Sequence, residues 1–151
     1  LALAEWVTFD RSPLTDWKTV GECDIALIEG GVCNAENVEV LRAYRRAARI
    51  LVAVGACAIN GGLPAQRNQH RVERLLTQVF EADRHLAPGS RVPNDPELPL
   101  LLEHVHPIHE IVRVDYYLPG CPPTAEVIWT FLTDLLVGRE PHFPYPTLRY
   151  D

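Results

Sequence analysis

The run ILVAVGAC, residues 50–57, constrains the fold of this chain more than any other stretch. It is the most apolar run in the sequence. An unbroken apolar run of this length is typical of a strand that is buried on both faces of a parallel sheet. Parallel strands are joined by long crossovers, usually helices. The run therefore predicts an α/β fold, provided that other strands and helices alternate around it.

The flanking sequence supplies that alternation. Residues 24–31, DIALIEGG, form a short β-rich run that two glycines close, and a helix capped by Asn34 follows. Residues 72–80 have apolar side chains at helical spacing, and residues 111–118 read as another strand. After PGCPP, apolar residues from Val127 to Leu136 predict a final helix, with Pro123 in its first turn and Gly138 just after its end. Right-handed βαβ units in a parallel sheet flanked by helices are the expected result.

Length and composition favour one domain over residues 1–151. The chain is 47% apolar and 23% charged, as globular domains are. Five prolines in residues 86–107 predict a loop laid over the surface or over a partner, and the tail at residues 139–151 is a second candidate partner surface. Residues 6–9 suggest a weak early strand. Because the chain starts at Leu1 and has no methionine, we expect it to be incomplete at its N-terminus.

Several classes of function are disfavoured. A net charge of -6 argues against a nucleic-acid partner, which would need clustered Lys and Arg. The apolar runs are far shorter than the ~20 residues that cross a bilayer, so no membrane contact is expected. The two glycine motifs that bind the phosphates of nucleotides, G-x-x-x-x-G-K and G-x-G-x-x-G, are both absent from the sequence. The four cysteines do not suggest a secreted disulfide scaffold, which favours a cytoplasmic protein.

Two cysteines follow predicted strands directly. Cys57 ends Gly55-Ala56-Cys57 and Cys121 is central in PGCPP. Parallel strands present their carboxyl ends at one edge, so both thiols should meet there and suggest a metal site. A cysteine ending an apolar strand is, by default, a small core residue, and for Cys57 alone this alternative stays open. Cys121 has prolines on both sides, at 119, 122 and 123, and this arrangement fits a rigid ligand loop better than a position in the core.

The other two cysteines complete a count of four, which is the number that a 4Fe-4S cluster requires. Cys23, however, starts the strand that Glu29 ends, about 20 Å from the candidate edge. Cys33 lies at the correct edge and remains a geometric candidate. No C-x-x-C pair is present, so we expect further ligands upstream.

Glu29 and three histidines are the remaining candidates for chemistry. A carboxylate at the end of an apolar strand is costly unless it is paired or used, so Glu29 is interpreted as a site-edge group, with a solvated loop residue as the alternative. His104, His106 and His109 form H-x-H-P-x-H. Pro107 breaks their register, and no carboxylate or cysteine completes a zinc spacing, so no metal site is predicted there.

These residues resemble a known family. The stretches IALIEGGVCNAEN, ILVAVGACAINGGLPAQRN, HEIVRVDYYLPGCPP and RYD are similar to the small subunit of cytoplasmic, bidirectional NAD-reducing nickel-iron hydrogenases. That group is related to the 20 kDa subunit of respiratory complex I. The resemblance covers nearly the whole chain. V-G-A-C with PGCPP is specific for the larger group, and G-G-L-P-A-x-R-N favours the hydrogenase branch.

The resemblance implies a flavodoxin-like fold that holds a proximal 4Fe-4S cluster through four cysteines. Cys57 and Cys121 match two of these ligands. The other two would come from a C-x-x-C pair after a first strand, and both are missing from these 151 residues. Cys33 lies where the family pattern demands no cysteine, so it is not expected to be a ligand. Glu29 matches the family's E-G, near the large-subunit interface, as a candidate for a proton path or an interface contact.

The resemblance also implies a function, that of a subunit of a hydrogen-oxidising enzyme. Electrons would pass from the nickel-iron centre of the large subunit through the cluster to iron-sulfur and flavin diaphorase subunits, where FMN serves NAD reduction. No catalytic residue is assigned to this chain. The alternatives are a quinone-reducing subunit of the complex I type and a flavodoxin-like scaffold module without a cluster.

Overall fold

The computed structural model describes residues 5–12, 20–143 and 148. The helices and strands, in chain order, are β1 (Cys23–Glu29), β2 (Val32–Asn34), α1 (Ala35–Ala47), β3 (Ala48–Val54), α2 (Gly55–Asn60), α3 (Val72–Phe80), β4 (Leu101–His106), β5 (Tyr116–Leu118) and α4 (Ala125–Leu136). Short 3-10 helices occupy Leu63–Gln69 and Ile108–Glu110. No helix in these ranges is both long enough and apolar enough to cross a membrane.

Three strands form a parallel sheet in the order β1-β3-β5. Glu29 is opposite Val54, and Val54 is opposite Leu118, so the three strands end side by side. The sheet and its flanking helices confirm the predicted α/β class and are consistent with a flavodoxin-like fold. β2 and β4 form a separate antiparallel ribbon.

β3 is the central strand of this sheet, and its side chains are buried on both faces. Leu51 and Ala53 pack on one side, within the cluster of buried residues Val32, Leu41, Leu51, Ala53, Ala58 and Ile108. Val52 points to the other side, where Leu118 and the α4 residues Val127 and Phe131 cover it. The apolar run in the sequence is therefore the shared core of two layers, as its composition predicts.

The predicted helices form where capping and periodicity place them. Asn34 caps α1, and its side chain accepts a hydrogen bond from Asn37 N at 2.7 Å. The last turn of α1 carries Arg45 and Arg46, where cations suit the helix dipole. α3 covers the stretch in which apolar residues recur at helical spacing. Thr124 caps α4, so Pro123 precedes the helix instead of opening it.

The predicted strands are longer than the observed ones. The run 50–57 leaves the sheet at Gly55, whose φ of 78° is unsuited to a strand, and α2 begins there. The run 111–118 contributes only β5 to the sheet. Val112 N bonds to Ile108 O, so the chain is still turning after the second 3-10 helix. Residues 6–9 form no strand.

The proline-rich segment 86–107 is not a loop throughout. Its last part is β4, which pairs with the three-residue β2. The sequence pattern does not indicate this strand, because only Val105 in it is fully buried, while Leu101, Glu103 and His104 are exposed. Its partner strand β2 is distant in sequence, so no local pattern predicts the pairing.

Candidate metal centre

The carboxyl edge of the parallel sheet brings the two predicted ligand loops together. Ala56 N donates a hydrogen bond to Gly120 O at 2.8 Å. Ala56 precedes Cys57 and Gly120 precedes Cys121, so the backbones next to both thiols are tied to each other. The structure thus places Cys57, in the first turn of α2, in a segment that adjoins the Cys121 loop, as parallel pairing predicts.

The two cysteines differ in environment. Cys57 is half-buried in the first turn of α2. Cys121 is exposed and lies between the buried Gly120 and the Pro122-Pro123 pair. Cys121 does not have the burial of a core cysteine, whereas the intermediate burial of Cys57 is compatible with either a ligand or a packing role.

The donor set of the described residues fits half of a 4Fe-4S site. Two free thiols at one edge are the soft ligands that such a cluster takes, but it needs four protein ligands. In residues 5–12, 20–143 and 148, no group of three or more His, Cys, Asp or Glu side chains is placed to hold a metal ion. The described part of the chain therefore offers two candidate ligands and not a complete set.

Cys23 lies at the opposite end of the sheet, and Cys33 lies in β2, just after the carboxyl end of β1. Cys23 pairs with Ala48 at the start of β1, at the end of the strand away from Glu29. Burial raises the pKa of its thiol, and the nearby carboxylates of Asp10 and Asp24 raise it further. The Cys33 thiol donates a hydrogen bond to Asn37 Oδ1 at 3.2 Å, in the first turn of α1.

Glu29 ends β1 opposite Val54, the residue that leads into the Cys57 loop. Its side chain is exposed. Water therefore solvates the carboxylate of Glu29, and the charge requires no buried partner. The position fits a group at the border of the site.

The three histidines are spread over β4 and the segment after it. The rings of His104 and His106 meet edge to face at 6.2 Å. His106 Nδ1 lies 2.5 Å from Glu110 Oε2. His109 packs against Tyr117 with ring centroids 6.3 Å apart.

Two residues near the site were missed by the sequence analysis. Arg67 donates hydrogen bonds to Leu102 O at 2.9 Å and to Cys33 O at 3.3 Å, so its guanidinium joins β4 to β2. Asn68 binds both main-chain groups of Val105. The only sequence signal was their place in GGLPAQRN, where two strong hydrogen-bonding side chains follow a turn of small residues and proline.

Comparison with known proteins places these features in a family. The family described as NADH ubiquinone oxidoreductase, 20 Kd subunit, matches residues 2–135. The delta subunit of the NAD-reducing hydrogenase HoxS of Cupriavidus necator is 42% identical, over 100% of this chain and 74% of that protein.

Two further relatives are also named as hydrogenase subunits. A subunit of the F420-non-reducing hydrogenase vhu of Methanocaldococcus jannaschii is 37% identical over 87% of this chain and 45% of that protein. The delta subunit of sulfhydrogenase 2 of Pyrococcus furiosus is 32% identical over 84% of this chain and 47% of that protein. The chain thus spans about half the length of these two proteins.

The match over residues 2–135 and the full-length similarity at 42% identity confirm the resemblance predicted from the motifs. This chain belongs to the family of the 20 kDa subunit of NADH ubiquinone oxidoreductase, which it shares with the small subunits of nickel-iron hydrogenases.

Proposed function

We propose that this chain is the electron-transfer small subunit of an NAD-reducing nickel-iron hydrogenase. One observation carries the proposal: the loops of Cys57 and Cys121 are tied by the Ala56–Gly120 hydrogen bond at the carboxyl edge of the sheet. The similarity to a HoxS delta subunit over the whole chain supports the choice of branch.

Cys57 and Cys121 would hold one side of a proximal 4Fe-4S cluster as thiolates, and the remaining ligands would come from an upstream C-x-x-C pair. Such a cluster, when bound, accepts and releases single electrons. The chain's own contribution is positional. The bond between Ala56 and Gly120 fixes the distance between the two loops, and Pro122 with Pro123 limits the motion of the second loop.

The proposal includes partners and a place in the cell. A large subunit with the nickel-iron centre would contact the carboxyl edge, and diaphorase subunits with FMN would pass electrons to NAD. Glu29, exposed at that edge, would serve as a contact or a proton-path residue at the large subunit. We place the assembly in the cytoplasm, since all four cysteines are free thiols.

Metal analysis with electron paramagnetic resonance on the full-length subunit in its complex tests the cluster. We expect iron and sulfide in the wild type, loss of the proximal signal in Cys57→Ser and Cys121→Ser, and retention in the control Cys23→Ser. A signal that survives both ligand substitutions would sink the assignment. A wild-type subunit without any cluster would instead favour the flavodoxin-like scaffold.

A second candidate function is a quinone-reducing subunit of the complex I type, because the matching family is described by that enzyme. The purified complex separates the two. Hydrogen-dependent reduction of NAD supports the hydrogenase, whereas NADH-dependent reduction of a quinone with no hydrogen uptake supports the rival.

A further inference from the structure

The thiol of Cys57 lies directly against the backbone of Gly62. A Cβ atom built on Gly62 would be 2.8 Å from Cys57 Sγ, 2.9 Å from its Cα and 3.0 Å from its N. Real side chains essentially never approach their neighbours this closely. The turn at Gly62 therefore packs against the thiol, and a movement of the turn would change the surroundings of the thiol.

The turn continues without a break into the 3-10 helix at Leu63–Gln69. Gly61 N donates to Cys57 O at 3.1 Å, which joins the turn to the end of α2. Ala65 N then donates to Gly61 O at 3.1 Å. The turn is thus hydrogen-bonded to α2 on one side and to this 3-10 helix on the other, and contacts at the far end of the 3-10 helix add to its restraint.

Asn68 holds that far end. Its Oδ1 accepts a hydrogen bond from Val105 N at 2.7 Å, and its Nδ2 donates to Val105 O at 2.9 Å. The amide reproduces the paired donor and acceptor that a neighbouring strand would offer to β4. Val105 is 3% exposed. Its main chain has little access to water, so the Asn68 amide is not readily replaced by solvent.

Val105 leads back to Cys57 through Gly31. A Cβ atom on Gly31 would lie 2.7 Å from Val105 Cγ1 and 3.5 Å from Cys57 O. The contacts therefore close a ring from Cys57 through Gly62, Asn68, Val105 and Gly31 back to Cys57. Within this ring, the Asn68 amide makes the link between the 3-10 helix and Val105. The Asn60 side chain supports the turn from the other end, where its Oδ1 accepts a hydrogen bond from Gly62 N at 2.9 Å.

We propose that Asn68 is a positioning residue for Cys57, which fixes the thiol by closing this ring. The proposal rests on the proposed function for what the thiol does, namely to bind a cluster. Ligand side chains have to be held within about 0.5 Å of their working geometry by the residues around them, and the ring supplies that restraint on the Cys57 side of the site.

The test is site-resolved alkylation of the full-length subunit in its complex. Iodoacetamide labelling of each cysteine is followed over time by peptide mass spectrometry in Asn68→Ala, in Asn68→Asp and in the control Gln69→Ala, which alters an exposed neighbour in the same 3-10 helix. Asn68→Asp keeps the acceptor for Val105 N and replaces the donor to Val105 O with a carboxylate oxygen, which cannot donate and repels the carbonyl oxygen. It decides the matter if Asn68→Ala does not fold.

We expect Asn68→Asp to raise the labelling rate of Cys57 about tenfold, the factor that corresponds to one lost hydrogen-bond partner, and Asn68→Ala, which loses two hydrogen bonds, to raise it at least as much. The labelling rate of Cys23, and that of Cys57 in the Gln69→Ala control, should not change. Cys23, at the opposite end of β1, reports general loosening. Equal acceleration at Cys23 and Cys57, or no acceleration at Cys57, would overturn the proposal. A shifted resonance line shape at unchanged iron content is the second expected result.

The two proposals fail separately. If the wild type carries no cluster, the proposed function fails, and the labelling of Cys57 still decides whether Asn68 positions the thiol. If the cluster is present and Cys57 labelling does not change in Asn68→Asp, the positioning proposal fails alone.

Discussion

At the scale of single residues, Gly62 shows most clearly how the sequence makes room for the site. Its φ of 50° with ψ of -145° is a conformation that residues with a side chain rarely adopt. The same residue has the Cys57 thiol 2.8 Å from the place where a Cβ would be. Backbone strain and lack of space both require glycine there.

Gly62→Ala should therefore cost more stability than a change that adds strain alone. We expect a loss of about 2–4 kcal/mol in the free energy of unfolding, from strain and steric overlap together. Gly89→Ala is the matched control, since its φ of 86° is also positive but nothing lies within 4 Å of the added Cβ, and it should cost only about 1–2 kcal/mol. Urea unfolding of the full-length subunit measures both, and equal losses would contradict the contact with Cys57.

Asp115 is a second residue with a defined energetic role. Its Oδ2 lies 2.5 Å from Arg45 Nη1 and accepts from Leu51 N at 2.9 Å. Burial raises the pKa of the Asp115 carboxyl, but the hydrogen bonds from Arg45 and Leu51 and the charges of Arg45 and Arg113 outweigh burial, so the pKa is lowered overall. The carboxylate ties the middle of β3 to the last turn of α1.

A lowered pKa fixes the sign of the pH effect. Asp115 stabilises the fold above its unfolded pKa of about 3.9, and this contribution is lost as the pH falls through the lower folded value. Asp115→Asn should cost about 1–3 kcal/mol at pH 7, and the difference from wild type should shrink below about pH 4. Chemical unfolding across this range measures the change.

Asp24→Asn is the control, because the Asp24–Arg49 pair is 81–82% exposed. Solvent screens such a pair, so its loss should cost less than about 1 kcal/mol. A constant difference between wild type and Asp115→Asn down to about pH 2 would rule out the ionic role of Asp115.

At the scale of helices and strands, a prediction from sequence was correct where the residues that determine the element are close together in the chain. The start of α1 was predictable, since an asparagine cap and its partner amide are three residues apart. β4 was not, because its pairing comes from the distant β2 and from the Asn68 side chain. The end of β3 was misplaced for another reason: an apolar run does not distinguish a buried strand from a buried helical turn, and Gly55 makes the change.

The same distinction applies to the site. Parallel strands imply that the Cys57 and Cys121 loops adjoin, so this geometry followed from topology. The ring through Asn68 and Val105 did not, since its links join residues whose sequence distance carries no period.

The cap of α1 gives a prediction at this scale. Asn34→Ala removes the acceptor for Asn37 N and should lower the free energy of unfolding by about 1 kcal/mol. Asn34→Ser restores a capping oxygen and should recover most of the loss. Thermal unfolding by circular dichroism compares the two, and equal effects of both substitutions would show that the cap does not contribute.

At the scale of the whole molecule, the core clusters cover both faces of β3. The candidate site is at the carboxyl edge of the sheet, and the outer surfaces are open to contacts with partner subunits. The tail at residues 139–151 remains a predicted partner surface, although residues 144–147 and 149–151 lie outside the described ones. Within the described part, Phe143 stacks on Phe131 at 5.9 Å, and Leu148 packs against the same cluster under α4. Phe143 is therefore a structural anchor that a deletion test has to leave in place, and the loss of the Leu148 contact needs a control of its own.

A variant truncated after Phe143 keeps the stacked ring and removes the rest of the tail. We expect it to stay folded and to recover less large subunit in affinity purification of the complex, because the predicted contact surface is lost. Leu148→Ala removes only the packing contact and should co-purify with the large subunit as the wild type does. If the truncated subunit retains the large subunit in full, or if Leu148→Ala loses it equally, the tail acts through the core of this chain and not as a partner surface.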